Sequence, residues 1–71
     1  MDFETIIASI KIFRKYADRP HFQDGFHAEQ QEVLAGLTVS DTKKKDKVRL
    51  KELGWYRSDL DGESWAHYAR L

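Results

Sequence analysis

The stretch that decides the fold of this chain is residues 50–68, which reads LKELGWYRSDLDGESWAHY. It joins the end of a charged helix to two short aromatic segments through Gly54 and the dipeptide Asp61-Gly62. Gly just after a helix accepts the left-handed backbone that ends it, and Asp-Gly is a strong hairpin signal. The predicted elements are a helix over 41–53, with Ser40 as its N-cap, and strands over 55–59 and 63–69.

The register of this hairpin has two alternatives. A two-residue Asp61-Gly62 loop places Trp55 and Trp65 on opposite faces, whereas a three-residue loop that also includes Leu60 places them on the same face. A one-residue slip therefore exchanges the buried and the exposed aromatic side chains. We favour the three-residue loop because it lets both tryptophans share the buried side.

Upstream, residues 3–17 predict an amphipathic helix that begins after Asp2 as its N-cap and is followed by a loop over 18–25. Its apolar stripe consists of Phe3, Ile6, Ile7, Ile10, Phe13 and Ala17. We expect Ile7, Ile10, Leu53 and one or both tryptophans to form the core. On that expectation, Ile10→Ala lowers the free energy of unfolding by about 2–5 kcal/mol.

Residues 26–37 are compatible with two structures. Their Ala, Glu, Gln and Leu content favours a helix that ends at Gly36. Alternation favours a strand through 29–35 that continues to Val39, with one face formed by Val33, Ala35, Leu37 and Val39. Residue patterns alone do not separate these alternatives.

Length, charge and composition limit the class of protein. The 71 residues predict one domain, 1–71, and the lack of cysteine excludes disulfides and thiolate metal sites. No apolar run approaches the roughly 20 residues that span a bilayer, so we expect a soluble, cytoplasmic protein without a membrane partner. The net charge is zero, with −2 on residues 1–36 and +2 on residues 37–71, so neither half has the strong positive field of a general nucleic-acid binder.

The motifs of catalysis and metal binding are missing from the sequence. There is no phosphate-binding loop and no nucleophile elbow, and the four glycines occur singly. His21, His27 and His67 lack the helical spacing of common zinc sites. We therefore predict a protein that is not an enzyme and has no catalytic residue, metal or cofactor.

Three motifs together resemble a group of short, uncharacterised phage and prophage proteins. They are AEQQEVLAG at 28–36, Leu-x-x-Leu-Gly-Trp at 50–55 and Trp-x-x-Tyr at 65–68. The group has an N-terminal helix, an Ala-Glu-His-Asp strand, a charged helix ending in Leu-Gly-Trp, and a terminal hairpin. This chain has Gln30-Gln31 in place of His-Asp, so a proton-transfer or metal role of that pair does not carry over.

The resemblance implies a strand over 29–37 and a small accessory protein of a mobile element that binds a host machine, for instance as an anti-CRISPR-like inhibitor of bacterial defence. The resulting fold is a single α+β domain of order α-β-α-β-β, with a three-stranded sheet packed on two helices. If the first two strands run parallel, the helix over 41–53 forms a right-handed crossover between them.

The hairpin face away from the helices is the predicted binding surface, because not all of the clustered aromatic side chains fit into so small a core. The predicted partner-binding residues are Tyr56, Arg57, His67, Lys44 and Lys47. The predicted partner is a host or defence-system protein, and a homodimer through the same face is the alternative. The helix over 41–53 carries a net charge of +3, so the second functional hypothesis is a small nucleic-acid-associated protein that contacts phosphates there.

Overall fold

The first helix, α1, covers Phe3–Arg14. Asp2 is its N-cap as predicted, and its Oδ1 accepts a hydrogen bond of 2.7 Å from the amide of Thr5. The helix ends before the predicted Ala17, because the amides that follow it bond to carbonyls three residues back rather than four. The computed structural model describes residues 2–20, 22–29 and 32–68.

Two strands, β1 over Gln23–Glu29 and β2 over Glu32–Thr38, form an antiparallel pair. The predicted strand over 29–37 is confirmed for residues 32–37 by β2, whereas Glu29 belongs to β1, and the helical alternative for 26–37 is wrong. β1 corrects the prediction, because this segment pairs with β2 instead of forming part of a loop or a helix. Pairing in the sheet outweighs the local helical preference of these residues. Gln30 and Gln31 lie outside the described residues.

Two glycines shape the pairing of β1 with β2, Gly25 through its positive φ and Gly36 through a close approach of the strands. Gly25 has φ of +92° at an irregularity in the register between Gln23 and Phe26. Gly36 lies opposite Gln23, where an added Cβ would come within 1.9 Å of the Gln23 carbonyl oxygen. Gly36 is therefore required by the approach of the neighbouring strand, and not as the end of a helix.

The second helix, α2, covers Lys44–Glu52 and begins later than predicted. Its N-cap is Lys43, which makes no side-chain capping hydrogen bond, so the predicted cap at Ser40 is wrong. The residues between β2 and α2 form turns instead, in which the hydroxyl of Thr42 donates to the carbonyl of Thr38 at 2.9 Å.

The end of α2 confirms the role predicted for Gly54. Its φ is +98°, and its amide donates to the carbonyl of Lys51. The amide of Trp55 donates to the carbonyl of Leu50 at 2.9 Å, which completes a Schellman motif. This motif directs the Trp55 side chain into the core, where it is 2% exposed.

The sheet has four strands in the order β1-β2-β4-β3, with β3 over Tyr56–Arg57 and β4 over Ser64–Tyr68. All neighbours are antiparallel, so β2 and β3 run parallel with β4 between them. The α+β class is confirmed, and the three-stranded sheet is corrected to four strands. The extra strand is β1.

The hairpin register is that of the three-residue alternative. Arg57 lies opposite Trp65, which places both tryptophans on the side of the sheet that carries the helices. The turn itself is wider, because the amide of Ser58 bonds to the carbonyl of Ser64 at 2.8 Å and residues 59–63 lie between them. Asp61 organises this turn by accepting hydrogen bonds from the amides of Glu63 and Ser64.

The core lies between the two helices and one face of the sheet. Its buried apolar members are Ile12, Phe13, Tyr16, Ala35, Leu37, Val39, Leu50, Trp55 and Trp65. The burial of both tryptophans is confirmed, and Leu53 packs half-buried at the edge. The expected burial of Ile7 and Ile10 is wrong, since they are 54% and 39% exposed. The large loss in free energy of unfolding that was expected for Ile10→Ala is therefore no longer expected.

α1 faces the core with a stripe whose buried residues include only Phe13 of the predicted one. The buried residues are Ser9, Ile12 and Phe13 in the helix and Tyr16 just after it. Their spacing is also helical, but Ser9 is polar and Tyr16 lies beyond the end of the helix, so a search for apolar periodicity passes over this stripe.

Candidate partner-binding surfaces

Tyr56 lies on the outer face of the sheet, away from the helices, as predicted. Its hydroxyl donates to a carboxylate oxygen of Glu32 at 2.5 Å. Because β4 separates the strands of these two residues, their side chains meet above Ala66, which is fully buried. Burial, together with the hydrogen bond to Glu32, raises the pKa of Tyr56 to about 12. The hydroxyl of Tyr56 is therefore already hydrogen-bonded within the protein.

Arg57 and His67 lie on the other side of the sheet from Tyr56, because successive residues of a strand point to opposite faces. Arg57 is exposed and donates to the carbonyl of Gly62 at 3.1 Å within its own hairpin. His67 packs edge-on against the ring of Trp55, and its Nε2 lies 2.9 Å from the carbonyl oxygen of Leu53. His67 therefore secures the end of α2 against the sheet.

Lys44 and Lys47 lie on α2, with Lys44 exposed and Lys47 half-buried. α2 packs on the helix side of the sheet through Leu50, whereas Tyr56 points to the outer side. The five predicted binding residues therefore do not form one surface. The expectation that Tyr56, Arg57 and His67 share the outer hairpin face is wrong.

A polar contact joins the two helices at the carboxylate of Asp46, which is 5% exposed. It accepts hydrogen bonds from Lys15 Nζ at 2.8 Å and from the Tyr16 hydroxyl at 2.5 Å. Burial alone would raise the pKa of Asp46, but these two hydrogen bonds outweigh it and hold the pKa below its usual value. Burial and the same carboxylate raise the pKa of Tyr16.

A basic cleft of about 290 Å³ surrounds this contact. Its charged lining consists of Lys15, Arg19, Lys43 and Lys45 with Asp18 and Asp46. Lys15 and Asp46 pair with each other, and the guanidinium of Arg19 lies 5.5 Å from the centre of the Tyr16 ring. The cleft keeps a net charge of +2.

An apolar cleft of about 230 Å³ lies between α1 and β1. It is lined mainly by Ile10, Phe13, Phe22 and Phe26, with Arg14 as its charged residue among those described. Phe26 is 40% exposed, yet its ring also lies 6.0 Å from the ring of Phe13 and 5.6 Å from that of Trp55. The wall of this cleft therefore packs directly against the core.

The outer stripe of α1, formed by Phe3, Ile7 and Ile10, is the second exposed apolar feature. Phe3 is 83% exposed, the highest value among the large apolar side chains of the described residues. This surface can be recognised in the sequence because α1 carries two stripes at helical spacing, either of which could pack on the core. The stripe that contains Ser9 and Tyr16 takes the core, so the purely apolar stripe remains outside.

A depression of about 800 Å³ lies where the irregular parts of β1 and β2 meet the hairpin turn. Its acidic residues are Asp41, Asp61 and Glu63. Hydrogen bonds from the amides of Ser64 and Glu63, and from the Ser64 hydroxyl, lower the pKa of Asp61. The carboxylate of Asp61 thus serves to form the turn.

Within residues 2–20, 22–29 and 32–68, no group of three or more His, Asp or Glu side chains is arranged to hold a metal ion, and His21 lies outside these ranges. Over the same part of the chain, neither helix has the length and apolar character needed to cross a membrane. Comparison with protein-family models, with curated proteins and with solved structures finds no match.

Proposed function

We propose that this chain is a small, non-enzymatic phage or prophage accessory protein that binds a host protein and modulates or inhibits it in the host cytoplasm. The sequence resemblance supports this provenance, and inhibition of a defence system is the role that such provenance favours. The observation that carries the binding hypothesis is the apolar cleft between α1 and β1.

The size of the α1–β1 cleft favours a protein side chain over a small-molecule substrate. At about 230 Å³ it is smaller than the roughly 300–1,000 Å³ of typical small-molecule sites. Its apolar walls suit one buried anchor residue, the feature that dominates the energetics of protein interfaces.

The edge position of β1 supplies the second part of the binding mode. In the order β1-β2-β4-β3, β1 has a neighbouring strand on one side only among the described residues. An extended segment of the target adds to that edge through backbone hydrogen bonds while one apolar side chain enters the cleft. Since Arg14 lines the cleft, the target segment carries an acidic residue beside its apolar anchor.

Selection from a library of random linear peptides tests this binding mode directly. The enriched peptides should share an apolar residue next to Asp or Glu, and their binding should be lost in Phe26→Asp and in Arg14→Glu. Because the main anchor is apolar, binding should weaken only modestly between low and moderate salt, through screening of the Arg14 ion pair.

Leu60→Glu is the matched control, because Leu60 is a similarly exposed apolar residue, 47% against 40% for Phe26, in the hairpin turn. It should bind the selected peptides like the parent chain. Circular dichroism shows whether each variant is folded. Failure to enrich any peptide, or equal binding by all three variants, would contradict the proposal.

The basic cleft favours a second candidate function, a small nucleic-acid-associated protein. Lys43 and Lys45 at the start of α2 lie beside Arg19, so three cations converge from two elements. Binding of a fluorescent single-stranded oligonucleotide should then weaken steeply with salt and be reduced by a Lys43→Glu, Lys45→Glu double variant. Absence of such salt-dependent binding removes this candidate.

A further inference from the structure

The outer stripe of α1 needs an occupant, because it is a continuous apolar surface on a helix of twelve residues. Phe3, Ile7 and Ile10 follow each other at spacings of four and three and are 83%, 54% and 39% exposed. Their exposed area is on the order of 300–400 Å², close to the largest apolar patches that monomers leave open.

The charges beside the stripe select the direction in which another helix packs on it. Glu4 lies in the first turn of α1 and Lys11 in the last, and both are exposed. They are seven residues apart, so they lie on the same flank of the stripe. A helix whose flank is acidic at the start and basic at the end complements a copy of itself that runs in the opposite direction.

We propose that a second copy of this chain occupies the stripe, with the two α1 helices packed antiparallel about a twofold axis. Such an axis places the same flank of both helices side by side, with the helices running in opposite directions. With Ile7 level with Ile10 of the second copy, Phe3 lies level with Arg14 of that copy, where a guanidinium packs well on an aromatic ring. In this register Glu4 lies about 3 Å along the axis from the level of Lys11 of the other copy, within reach of the two long side chains. The antiparallel arrangement also opposes the two helix dipoles favourably.

The area of the stripe sets the strength of this dimer. A stable interface buries roughly 800 Å² on each partner, about twice what the stripe offers. The dimer therefore exchanges with the monomer over an accessible range of protein concentration. The dimer surface shares Ile10 and Arg14 with the α1–β1 cleft, whereas Glu4, Lys11 and Ile7 are not part of that cleft and therefore test the dimer alone.

Sedimentation velocity of the full chain over a series of concentrations tests the dimer. The parent should associate as its concentration rises, and Ile7→Glu should remain monomeric. Glu4→Lys and Lys11→Glu should each weaken association about fivefold to tenfold, because each change places like charges at two symmetry-related contacts. The double variant, Glu4→Lys with Lys11→Glu, should recover most of the parental association.

Recovery by the double variant is specific to the antiparallel arrangement and does not follow from a loss of folding. A parent chain that stays monomeric at every concentration would overturn the proposal. So would a dimer unaffected by Ile7→Glu, or a double variant that associates no better than the single ones. Peptide binding by the monomeric Ile7→Glu variant separates a failure of this proposal from a failure of the α1–β1 binding mode.

Discussion

The buried side of α1 and its outer stripe differ in how they use polar groups. The buried side combines Ile12 and Phe13 with Ser9, and Tyr16 follows just after the helix, whereas the outer stripe of Phe3, Ile7 and Ile10 is entirely apolar. Burial of a polar group costs little when its hydrogen bonds are made inside the protein. Hydrogen bonds to specific partners therefore decide which side of α1 is buried, together with hydrophobicity.

Ser9 shows what such a partner contributes. Its hydroxyl accepts a hydrogen bond of 2.7 Å from the indole nitrogen of Trp55 and donates to the carbonyl of Thr5 at 2.6 Å. The other tryptophan has the same arrangement, since the indole of Trp65 donates to the hydroxyl of Thr42 at 2.8 Å. A side of α1 made only of Phe and Ile would leave the buried indole N–H of Trp55 without an acceptor.

The largest effect is expected at Phe13, where the buried side of α1 is apolar. Phe13 is 5% exposed, and its ring lies 5.0 Å from that of Trp55 in an edge-to-face arrangement. Phe13→Ala should lower the free energy of unfolding by about 3–5 kcal/mol through loss of burial and creation of a cavity. Urea unfolding monitored by tryptophan fluorescence measures this change. A loss below about 1 kcal/mol would mean that α1 is not docked on the sheet as described.

An intermediate, pH-dependent effect is expected at Asp46, the partner of Tyr16 and Lys15. Its pKa is lower in the folded chain than the ordinary value of 3.8, so its contribution to stability is complete above that value and is lost as the pH falls towards the folded pKa. Asp46→Asn should therefore cost about 1–3 kcal/mol at neutral pH and progressively less below pH 3.8.

Urea unfolding of the parent and Asp46→Asn at neutral and acidic pH gives this difference directly. The pKa values of Asp2 and Asp61 are also lowered, but both residues remain in the variant, so their contributions cancel. If the loss in free energy of unfolding for Asp46→Asn stays constant as the pH falls, Asp46 stabilises the fold through packing and not through its charge.

The smallest effect on stability is expected on the outer stripe. Ile7→Ala removes an apolar side chain that is 54% exposed, so the free energy of unfolding should change by less than about 0.5 kcal/mol. The measurement is made at low protein concentration, where self-association does not contribute. A loss similar to that of Phe13→Ala would place Ile7 in the core and restore the apolar stripe as the docked side of α1.

Several local features of this chain can be predicted from residues that are neighbours in sequence. Asp2 caps α1 because its carboxylate is within reach of the first free amides. Leu53-Gly54-Trp55 ends α2 in a Schellman motif because Gly accepts a positive φ. Alternation correctly places Ala35, Leu37 and Val39 on the buried side.

Both helices, the turn around Asp61-Gly62 and with them the α+β class follow from short-range chemistry and can be read from the chain. Strand alternation also places Arg57 opposite Tyr56, and the favoured hairpin register buries both tryptophans. The pairing of β1 with β2 and the docking of α1 through Ser9, with Tyr16 just after it, depend on the folded chain. The contacts responsible join residues far apart in the chain, such as Ser9 with Trp55 and Tyr16 with Asp46. Local propensity and periodicity do not contain these partners, so the surface that they leave exposed appears only once the chain is folded.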